Sequence, residues 1–210
     1  MNTRTRIRAL LTTAPLLAAW LALAPTAQAS PLVASAESCD AQELSQPFLP
    51  WADPANYTLA PDGGFEAKAA DWSLEGGASV VAGNEPYYVG DVRDKRSLTL
   101  PAGSSAVSPA MCVGIEHPTI RLFARNTGSP LSGLRVKVHF VDGFVETQSA
   151  PIGVVGANGQ WQPTQPMVIG VNLLPLLPGE RTPVAFEFTP MGSGGEWQID
   201  DVYVDPYRRS

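Results

Sequence analysis

Apolar and polar residues alternate along several short stretches of the chain, which is the pattern of strands with one buried face. In the clearest stretch, 134–141, every second residue is apolar and the residues between are Arg135, Lys137 and His139. Asp142-Gly143 follows and predicts a two-residue hairpin turn, because this pair tolerates positive φ. We place the strands near 72–74, 78–82, 97–100, 105–108, 119–125, 134–141, 144–149, 167–171, 184–189 and 197–204.

Short strands at this spacing predict an all-β sandwich. The 19 glycines and 20 prolines are spread along the 210 residues and leave little room for long helices. About 180 residues remain after the leader described below, which suits one domain with a sizeable core.

The first residues predict a secretory signal peptide over 1–29. Arg4, Arg6 and Arg8 precede an apolar run, and Ala27-Gln28-Ala29 supplies a small-residue cleavage site. The alternative is a membrane anchor, but the run is shorter than the ~20 residues that a spanning helix needs. We therefore expect a secreted, extracellular protein that has no membrane contact once the signal is removed.

The net charge of the chain indicates which classes of binding partner are disfavoured. Removing a signal that holds three arginines and no acidic residue takes the net charge from -6 to -9. An acidic protein is a poor ligand for nucleic acid, because phosphate binding needs clustered Lys and Arg. The charge does not argue against a neutral glycan.

Residues 30–61 predict a linker and an irregular N-terminal arm, since they are rich in proline and lack periodicity. The arm carries the aromatic residues Phe48, Trp51 and Tyr57. Buried aromatic side chains commonly anchor such segments to a domain, so we expect packing. The alternative for Trp51 and Tyr57 is that they stack on a sugar ring.

Two cysteines in an exported chain predict a disulfide between Cys39 and Cys112. The bond would close a loop of roughly 70 residues, which stabilises by about 4 kcal/mol in the chain-entropy estimate. The alternative is a reactive thiol or a metal ligand.

The last predicted strand, 197–204, changes its alternation once. Its first apolar pair is Trp197 and Ile199, and the apolar pair after Asp200-Asp201 belongs to the opposite phase. A β-bulge at the two aspartates would return both pairs to one core. Adjacent carboxylates repel unless they point apart or share a cation, for which Glu66 is a third oxygen donor if the chain ends meet.

Two motifs carry a family resemblance. Gly63-Gly64-Phe65-Glu66 is followed by Trp72, and the chain closes with Trp-x-Ile-Asp-Asp-Val-x-Val over 197–204. Together they resemble the first and last strands of galactose-binding-like, jelly-roll carbohydrate-binding modules. The resemblance implies a jelly-roll β-sandwich over 62–207.

The resemblance also implies a structural calcium that bridges the first and last strands. The matching positions are Glu66 and one of Asp200 or Asp201. The alternative is that the aspartates bind loop amides and Arg208 or Arg209.

A basic face is the first candidate for a ligand surface. If the strands around Arg121 and Arg135 are neighbours, then one face carries Arg121, Phe123, Arg125, Arg135, Lys137 and His139. Such a face would suit an anionic glycan or another acidic polymer. The alternative is a solvated face whose charges pair with Glu146 and Glu187.

The loop 83–90 is the second candidate. Asn84 and Glu85 offer bonds to sugar hydroxyls beside Tyr87 and Tyr88. The alternative is that one of the two tyrosines faces the core. Trp161, which ends another loop, matches the tryptophan that packs in the core of the resembled family.

Catalytic motifs are missing from the sequence. The two histidines, His117 and His139, accompany neither a Gly-x-Ser-x-Gly elbow nor a His-Glu-x-x-His motif. We therefore expect no enzyme but a non-catalytic carbohydrate-binding-like module that binds a glycan or a cell-surface polymer. The alternative is an extracellular structural or protein-interaction domain with this fold and no sugar site.

Overall fold

The computed structural model describes residues 42–141, 147–156, 158–173 and 181–205. These ranges consist of strands and loops with two short 3-10 turns, Leu49–Trp51 and Val171–Leu173. The strands are β1 (Thr58–Leu59), β2 (Ser73–Glu75), β3 (Ser79–Ala82), β4 (Arg96–Leu100), β5 (Ser105–Val107), β6 (Met111–Gly114), β7 (Thr119–Asn126), β8 (Gly133–Val141), β9 (Thr147–Gly156), β10 (Gln162–Pro163), β11 (Met167–Val168), β12 (Arg181–Met191) and β13 (Trp197–Val204).

The strands form two antiparallel sheets, so the predicted all-β jelly-roll sandwich is confirmed. The first sheet has the order β10-β7-β13-β4-β3, with β1 paired to β13 and β11 paired to β7. The second sheet has the order β2-β5-β12-β8-β9, with β6 paired to β12. Within the described ranges, no helix is long and apolar enough to cross a membrane.

The main core lies between the sheets. The alternating apolar residues of β7 and β13 from the first sheet meet those of β8 and β12 from the second. Ile120, Leu122, Val136 and Phe186 are among those with no solvent exposure. Trp197 is also fully buried, and its indole donates a hydrogen bond to Ser132.

The two ends of the sandwich meet at β13, but Gly63-Gly64-Phe65-Glu66 lie in turns and do not form the first strand that the resemblance implied; the pairing strand is β1, within the predicted irregular arm. Thr58 pairs with Val204, and the register between β13 and β7 shifts between Asp200 and Tyr203. The predicted β-bulge is therefore confirmed, and Ile199 and Val202 both reach the core. Position 63 requires a glycine, because a Cβ there would lie only 2.8 Å from the Val202 carbonyl oxygen.

The arm, which we define as residues 42–61, covers the outer face of the first sheet. Phe48 and Tyr57 are buried there and form a second hydrophobic cluster with Phe123, Trp161 and Tyr203. The Phe48 ring stacks on Phe123 at 5.5 Å between centroids. This cluster explains why the arm is ordered without extensive strand pairing.

One predicted surface is wrong. The strand around Arg121 is β7 of the first sheet, whereas the strand around Arg135 is β8 of the second. The six residues of the expected basic face therefore lie on opposite sides of the sandwich, because β7 pairs with β13 and β8 pairs with β12 and β9. Alternation shows which residues share a face of one strand, but it does not show which strands are neighbours.

Several predictions fall outside the described residues. They are the signal peptide, the linker before residue 42, the turn at Asp142-Gly143, and the positions Cys39, Glu146, Arg208 and Arg209. Cys112 is buried on β6, and the side chain of Gln42 donates a bond to its carbonyl oxygen at 3.5 Å. The pairing of Cys39 with Cys112 stays a prediction.

A pair of substitutions tests the anchoring of the arm. Phe48→Ala should lower the free energy of unfolding by about 3 kcal/mol, because it empties a fully buried site. Its neighbour Leu49 is 53% exposed, so Leu49→Ala should change that free energy by less than about 0.5 kcal/mol. Urea unfolding of both variants makes the measurement, and equal small effects would contradict the packing described here.

Candidate functional site

A pocket of about 750 Å³ opens between the arm and the first sheet. The arm supplies one wall with Trp51 and Asp53. The loop after β3 supplies Tyr87, and β7 supplies Arg121. The rest of the lining comes from Ala52, Pro54, Ala55, Tyr57, Thr119, Gln162, Pro163, Gln165, Pro166 and Asp205.

Local geometry places Trp51 over the sheet. The 3-10 turn brings residues three apart to the same side, so Trp51 follows Phe48 toward the sheet while Leu49 points to solvent. The Trp51 ring lies 5.3 Å from that of Phe123. Trp51 is half-buried and keeps part of its surface open to the pocket.

Tyr87 completes the aromatic wall. Its ring meets Trp51 edge to face, with 4.9 Å between centroids. Its hydroxyl donates a hydrogen bond to the Trp161 carbonyl at 3.1 Å, which fixes the ring while 46% of the residue stays exposed. Two aromatic side chains are therefore held in place without a ligand.

A charged pair forms the polar side of the pocket. Arg121 donates from Nε to the Thr164 carbonyl and from Nη1 to Asp53. The Tyr57 hydroxyl also donates to Asp53, at 2.8 Å. Burial raises the pKa of Asp53, but the bonds from Tyr57, the Ala55 amide and Arg121 outweigh it and hold the pKa below its usual value. Burial, together with the Asp53 carboxylate, raises the pKa of Tyr57.

The structure gives the predicted ligand residues of the loop 83–90 different environments. Tyr87 lines the pocket, whereas Tyr88 is 47% exposed and outside it. Asn84 is half-buried and donates to the Glu85 carbonyl. Glu85 has no exposed surface, and its carboxylate accepts the amides of Tyr87 and Val89. Glu85 therefore shapes the loop that presents Tyr87.

The remaining predicted ligand residues do not form one surface. Phe123 is fully buried beneath the arm. Arg125 lies over the Trp161 ring at 5.0 Å and donates to Gln198. Arg135 lies in the second sheet, beside a cluster in which Glu187 accepts bonds from Lys137 and His139.

Sequence reasoning assigned Arg121 to a basic face and did not identify the rest of the polar lining of the pocket. Asp53 and Arg121 are 68 positions apart, and neither belongs to a motif. Gln162 and Gln165 each precede a proline, in a segment without alternation. The sequence offered one signal for this pair, the acidic residue Asp53 among the aromatic residues of the arm. A buried arginine such as Arg121 needs a counter-charge, and Asp53 provides it.

A second pocket, of about 350 Å³, lies at the bulge of β13 and is acidic. Asp201 is 1% exposed, and neither carboxylate oxygen accepts a hydrogen bond of normal geometry from the residues that the structure describes. Its φ of 49° lies in the left-handed region, which the bulge imposes. The other acidic lining residues are Glu43, Asp62, Glu66, Asp91 and Asp94.

The geometry at Gly90 marks a position between two carboxylates. A Cβ on Gly90 would lie 2.7 Å from Asp94 Oδ2 and 2.8 Å from Asp201 Oδ1. The carboxylates of Asp94 and Asp201 therefore lie on the same side of Gly90, where one hard cation could be bound by both. No group of three or more His, Cys, Asp or Glu side chains in the described ranges has the arrangement of a metal site.

The residues predicted as metal ligands differ in their contacts. Asp200 Oδ2 accepts the Glu85 amide and Oδ1 accepts the Asp201 amide, both at 3.0 Å. Glu66 lines the acidic pocket, and its Oε1 accepts the amides of Lys95 and Arg96. Within the described ranges, Asp201 is thus the predicted ligand whose oxygens accept no hydrogen bond of normal geometry, although Gly90 and Glu85 lie beside it.

Comparison with solved structures finds carbohydrate-binding modules, the class that the terminal motifs resemble. A xylan-binding domain of the CBM22 family has a TM-score of 0.45 at 19% identity, over 71% of this chain and 100% of that domain. The CBM22-1 and GH10 modules of a Clostridium thermocellum endo-1,4-β-D-xylanase, complexed with xylohexaose, have a TM-score of 0.46 at 16% identity. That match covers 68% of this chain and 27% of the xylanase chain. A CBM61 module in complex with β-1,4-galactotriose has a TM-score of 0.38 at 14% identity, over 70% of this chain and 96% of the module.

No family model matches the chain, and no curated protein matches its sequence. The structural matches, at identities under 20%, do not bear on the ligand of this chain.

The bulge makes stability depend on pH. Burial, with the neighbouring Asp201, raises the pKa of Asp200 to about 9, and burial, with Glu85 and Asp94, raises that of Asp201 to about 8. Both groups titrate near 3.8 in the unfolded chain. Between these limits the folded chain binds more protons, so its stability falls as pH rises.

We therefore expect the thermal unfolding midpoint, measured in chelator, to fall between pH 5 and pH 8.5. Asp53 and Glu187, whose pKa values are lowered, are already ionised in this range and do not mask the trend. A midpoint that stays level or rises in chelator would contradict the buried position of the aspartates.

Proposed function

We propose that this chain is an exported, non-catalytic module that binds a neutral glycan in the pocket between the arm and the first sheet. The observation that carries the proposal is the fixed pair of Trp51 and Tyr87 beside polar side chains in one open pocket. The signal peptide predicted from the sequence supports export.

The pocket has the chemistry that a sugar requires. The flat faces of pyranose rings carry C–H groups that pack on aromatic rings, and the hydroxyls around them need planar donors and acceptors. Trp51 and Tyr87 supply the rings, while Gln162 and Gln165 supply amides. The aromatic rings are already ordered by contacts to Phe123, so binding costs little side-chain entropy.

Charge at the pocket favours a neutral glycan over an anionic one. The positive charge of Arg121 is balanced by Asp53, and Asp205 adds a carboxylate to the lining. On the opposite sheet, Glu187 pairs with Lys137. The separated basic residues thus leave no broad positive face for an acidic polymer in the described ranges.

Catalysis receives no support from the pocket. Its carboxylates, Asp53 and Asp205, are not accompanied by a histidine in the lining. The carboxylate of Asp53 accepts hydrogen bonds from Tyr57 and Arg121, which favour its ionised form and suit a structural counter-ion better than a general acid.

We also propose that the acidic pocket holds a structural calcium bound by Asp201 and Asp94, with Glu66 at its rim. A divalent cation would neutralise the unpaired carboxylate of Asp201 and stabilise the bulge. Its role is structural, because the acidic pocket and the glycan pocket have no lining residue in common.

Binding measurements test the glycan pocket. Soluble xylan, β-1,4-galactan, mannan and polygalacturonate are run in affinity electrophoresis, followed by calorimetry. We expect a neutral polysaccharide to bind, and Trp51→Ala and Tyr87→Ala each to weaken it about tenfold, or ~1.4 kcal/mol.

Tyr88→Ala is the matched control, because Tyr88 adjoins Tyr87 in sequence and is equally exposed but lies outside the pocket. Its affinity should equal that of the unmodified chain. Binding of polygalacturonate alone, binding to none of the four, or equal losses from both tyrosine variants would reject the proposed site.

Asp201→Asn tests the calcium site. Asparagine tolerates the positive φ and carries no charge, so the variant should unfold at a higher temperature than the unmodified chain in chelator at pH 8. Millimolar Ca²⁺ should raise the midpoint of the unmodified chain and leave that of the variant unchanged. Asp71→Asn, on an exposed residue, should respond to Ca²⁺ like the unmodified chain; an equal response of Asp201→Asn would reject the assignment.

A further inference from the structure

We propose that this chain binds its glycan at a branch point, with the glycan backbone in the glycan pocket and a single-sugar branch in a smaller pocket beside it. The inference rests on the proposed function and names the class of glycan, a neutral polysaccharide with one-residue branches. Its basis is that the two pockets have Gln162, Pro163 and Gln165 as common lining residues.

The smaller pocket, which we call the side pocket, lies between the edges of the two sheets. Residues 154–156 of β9 line it from the second sheet, and residues 162–165 with Met167 line it from the first. β9 and β11 contact each other beside it, where a Cβ on Gly153 would lie 2.5 Å from the sulfur of Met167. The side pocket is therefore an opening at the edge of the sandwich, next to the point where the two sheets meet.

The floor of the side pocket is the hydrophobic core. Ala124, Met167 and Trp197 line it, and all three belong to the buried cluster between the sheets. A glycan chain cannot pass through a pocket that ends on the core, so the pocket accepts only an end group or a branch. Its volume of about 360 Å³ is less than half of the roughly 750 Å³ of the glycan pocket, which suits one sugar residue.

The rim of the side pocket is polar and uncharged. Asn158 and Thr164 line it together with the two glutamines, and amide groups both donate and accept hydrogen bonds. Asn158 Oδ1 accepts the Gln160 amide and Thr164 Oγ1 accepts the Leu122 amide, so backbone contacts hold both side chains in place. In the described part of the chain, no charged residue lines the side pocket, which favours a neutral sugar.

Strand register places the two pockets on opposite faces of one sheet edge. Gln162 pairs with Ala124, which faces the core, so the Gln162 side chain lies on the inner face. Pro163 pairs with Phe123, which faces the arm, and so lies on the outer face. A ligand that fills both pockets must change direction at residues 162–165. A branch leaves the backbone sideways and makes that change, whereas an extended backbone does not.

Calorimetry with matched oligosaccharides tests the branch site. Mannopentaose is compared with the same oligosaccharide carrying one α-1,6-galactosyl branch, and xylopentaose with the same oligosaccharide carrying one arabinofuranosyl branch. In at least one pair we expect the branched form to bind about tenfold more tightly, because a tethered branch adds contacts without a second loss of translational freedom.

Three variants assign the gain in affinity to the side pocket. Gln162→Ala removes an amide at an exposed position and should reduce the tenfold gain to about twofold, as expected for one lost hydrogen bond. Tyr87→Ala, in the glycan pocket alone, should weaken both forms equally and leave their ratio unchanged. Gln160→Ala is the matched control, because Gln160 is exposed and lines neither pocket.

Amide shifts in an NMR titration locate the branch independently of affinity. The branched oligosaccharide should shift the amides of Val155 and Asn158, which line only the side pocket, and the unbranched one should leave them in place. Equal shifts with both ligands would contradict the assignment.

The outcomes separate the two proposals. Binding by no neutral glycan, branched or unbranched, rejects the proposed function and the branch site with it. Binding of a neutral glycan with no gain from the branch in either pair keeps the glycan pocket and rejects the branch site. A gain that Gln162→Ala leaves unchanged also rejects the branch site.

Discussion

The bulge in β13 is the constraint on which the rest of the structure depends. β13 lies in the middle of the first sheet and pairs with β1, β4 and β7. Without the extra residue, either Ile199 or Val202 would face away from the core. The bulge brings both into it, and in doing so it buries Asp200 and Asp201.

The bulge both stabilises and destabilises the folded state. Apolar burial at Ile199 and Val202 favours folding, while two buried carboxylates oppose it. Asp200 is satisfied by amides of Glu85 and Asp201. Asp201 is buried beside Glu85 and Asp94, which raises the pKa of its carboxyl group, and a proton or a cation would make that burial more favourable. The loop around Glu85 and the arm are then built against this strand.

The fold was largely predictable from alternation and turn residues. β8 and β12 have one apolar and one polar face. The predicted bounds differ from the observed ones by at most one residue for β8 and by at most three residues for β12. β6 was missed because all four of its residues are buried, so it shows no alternation. β1 and β10 have two residues each and form only beside partners that are distant in sequence.

The site was less predictable, for a physical reason. Tyr87 was recognised as an exposed aromatic candidate from its residue type, whereas Trp51 was expected to pack and its stacking on a sugar ring was the alternative. The pairing of Asp53 with Arg121 arises only when the arm folds onto β7, and nothing local in the sequence records it. Glu85 has the residue type of a sugar ligand, yet its carboxylate is used to fold its own loop.

The buried carboxylate at the bulge is the central claim, and crystallography with an anomalous scatterer tests it most directly. Crystals grown with Tb³⁺ in place of Ca²⁺ should show one strong anomalous peak within bonding distance of the carboxylates of Asp94 and Asp201. A map with no peak there, in which the Asp201 carboxyl group donates or accepts ordinary hydrogen bonds, would contradict the account.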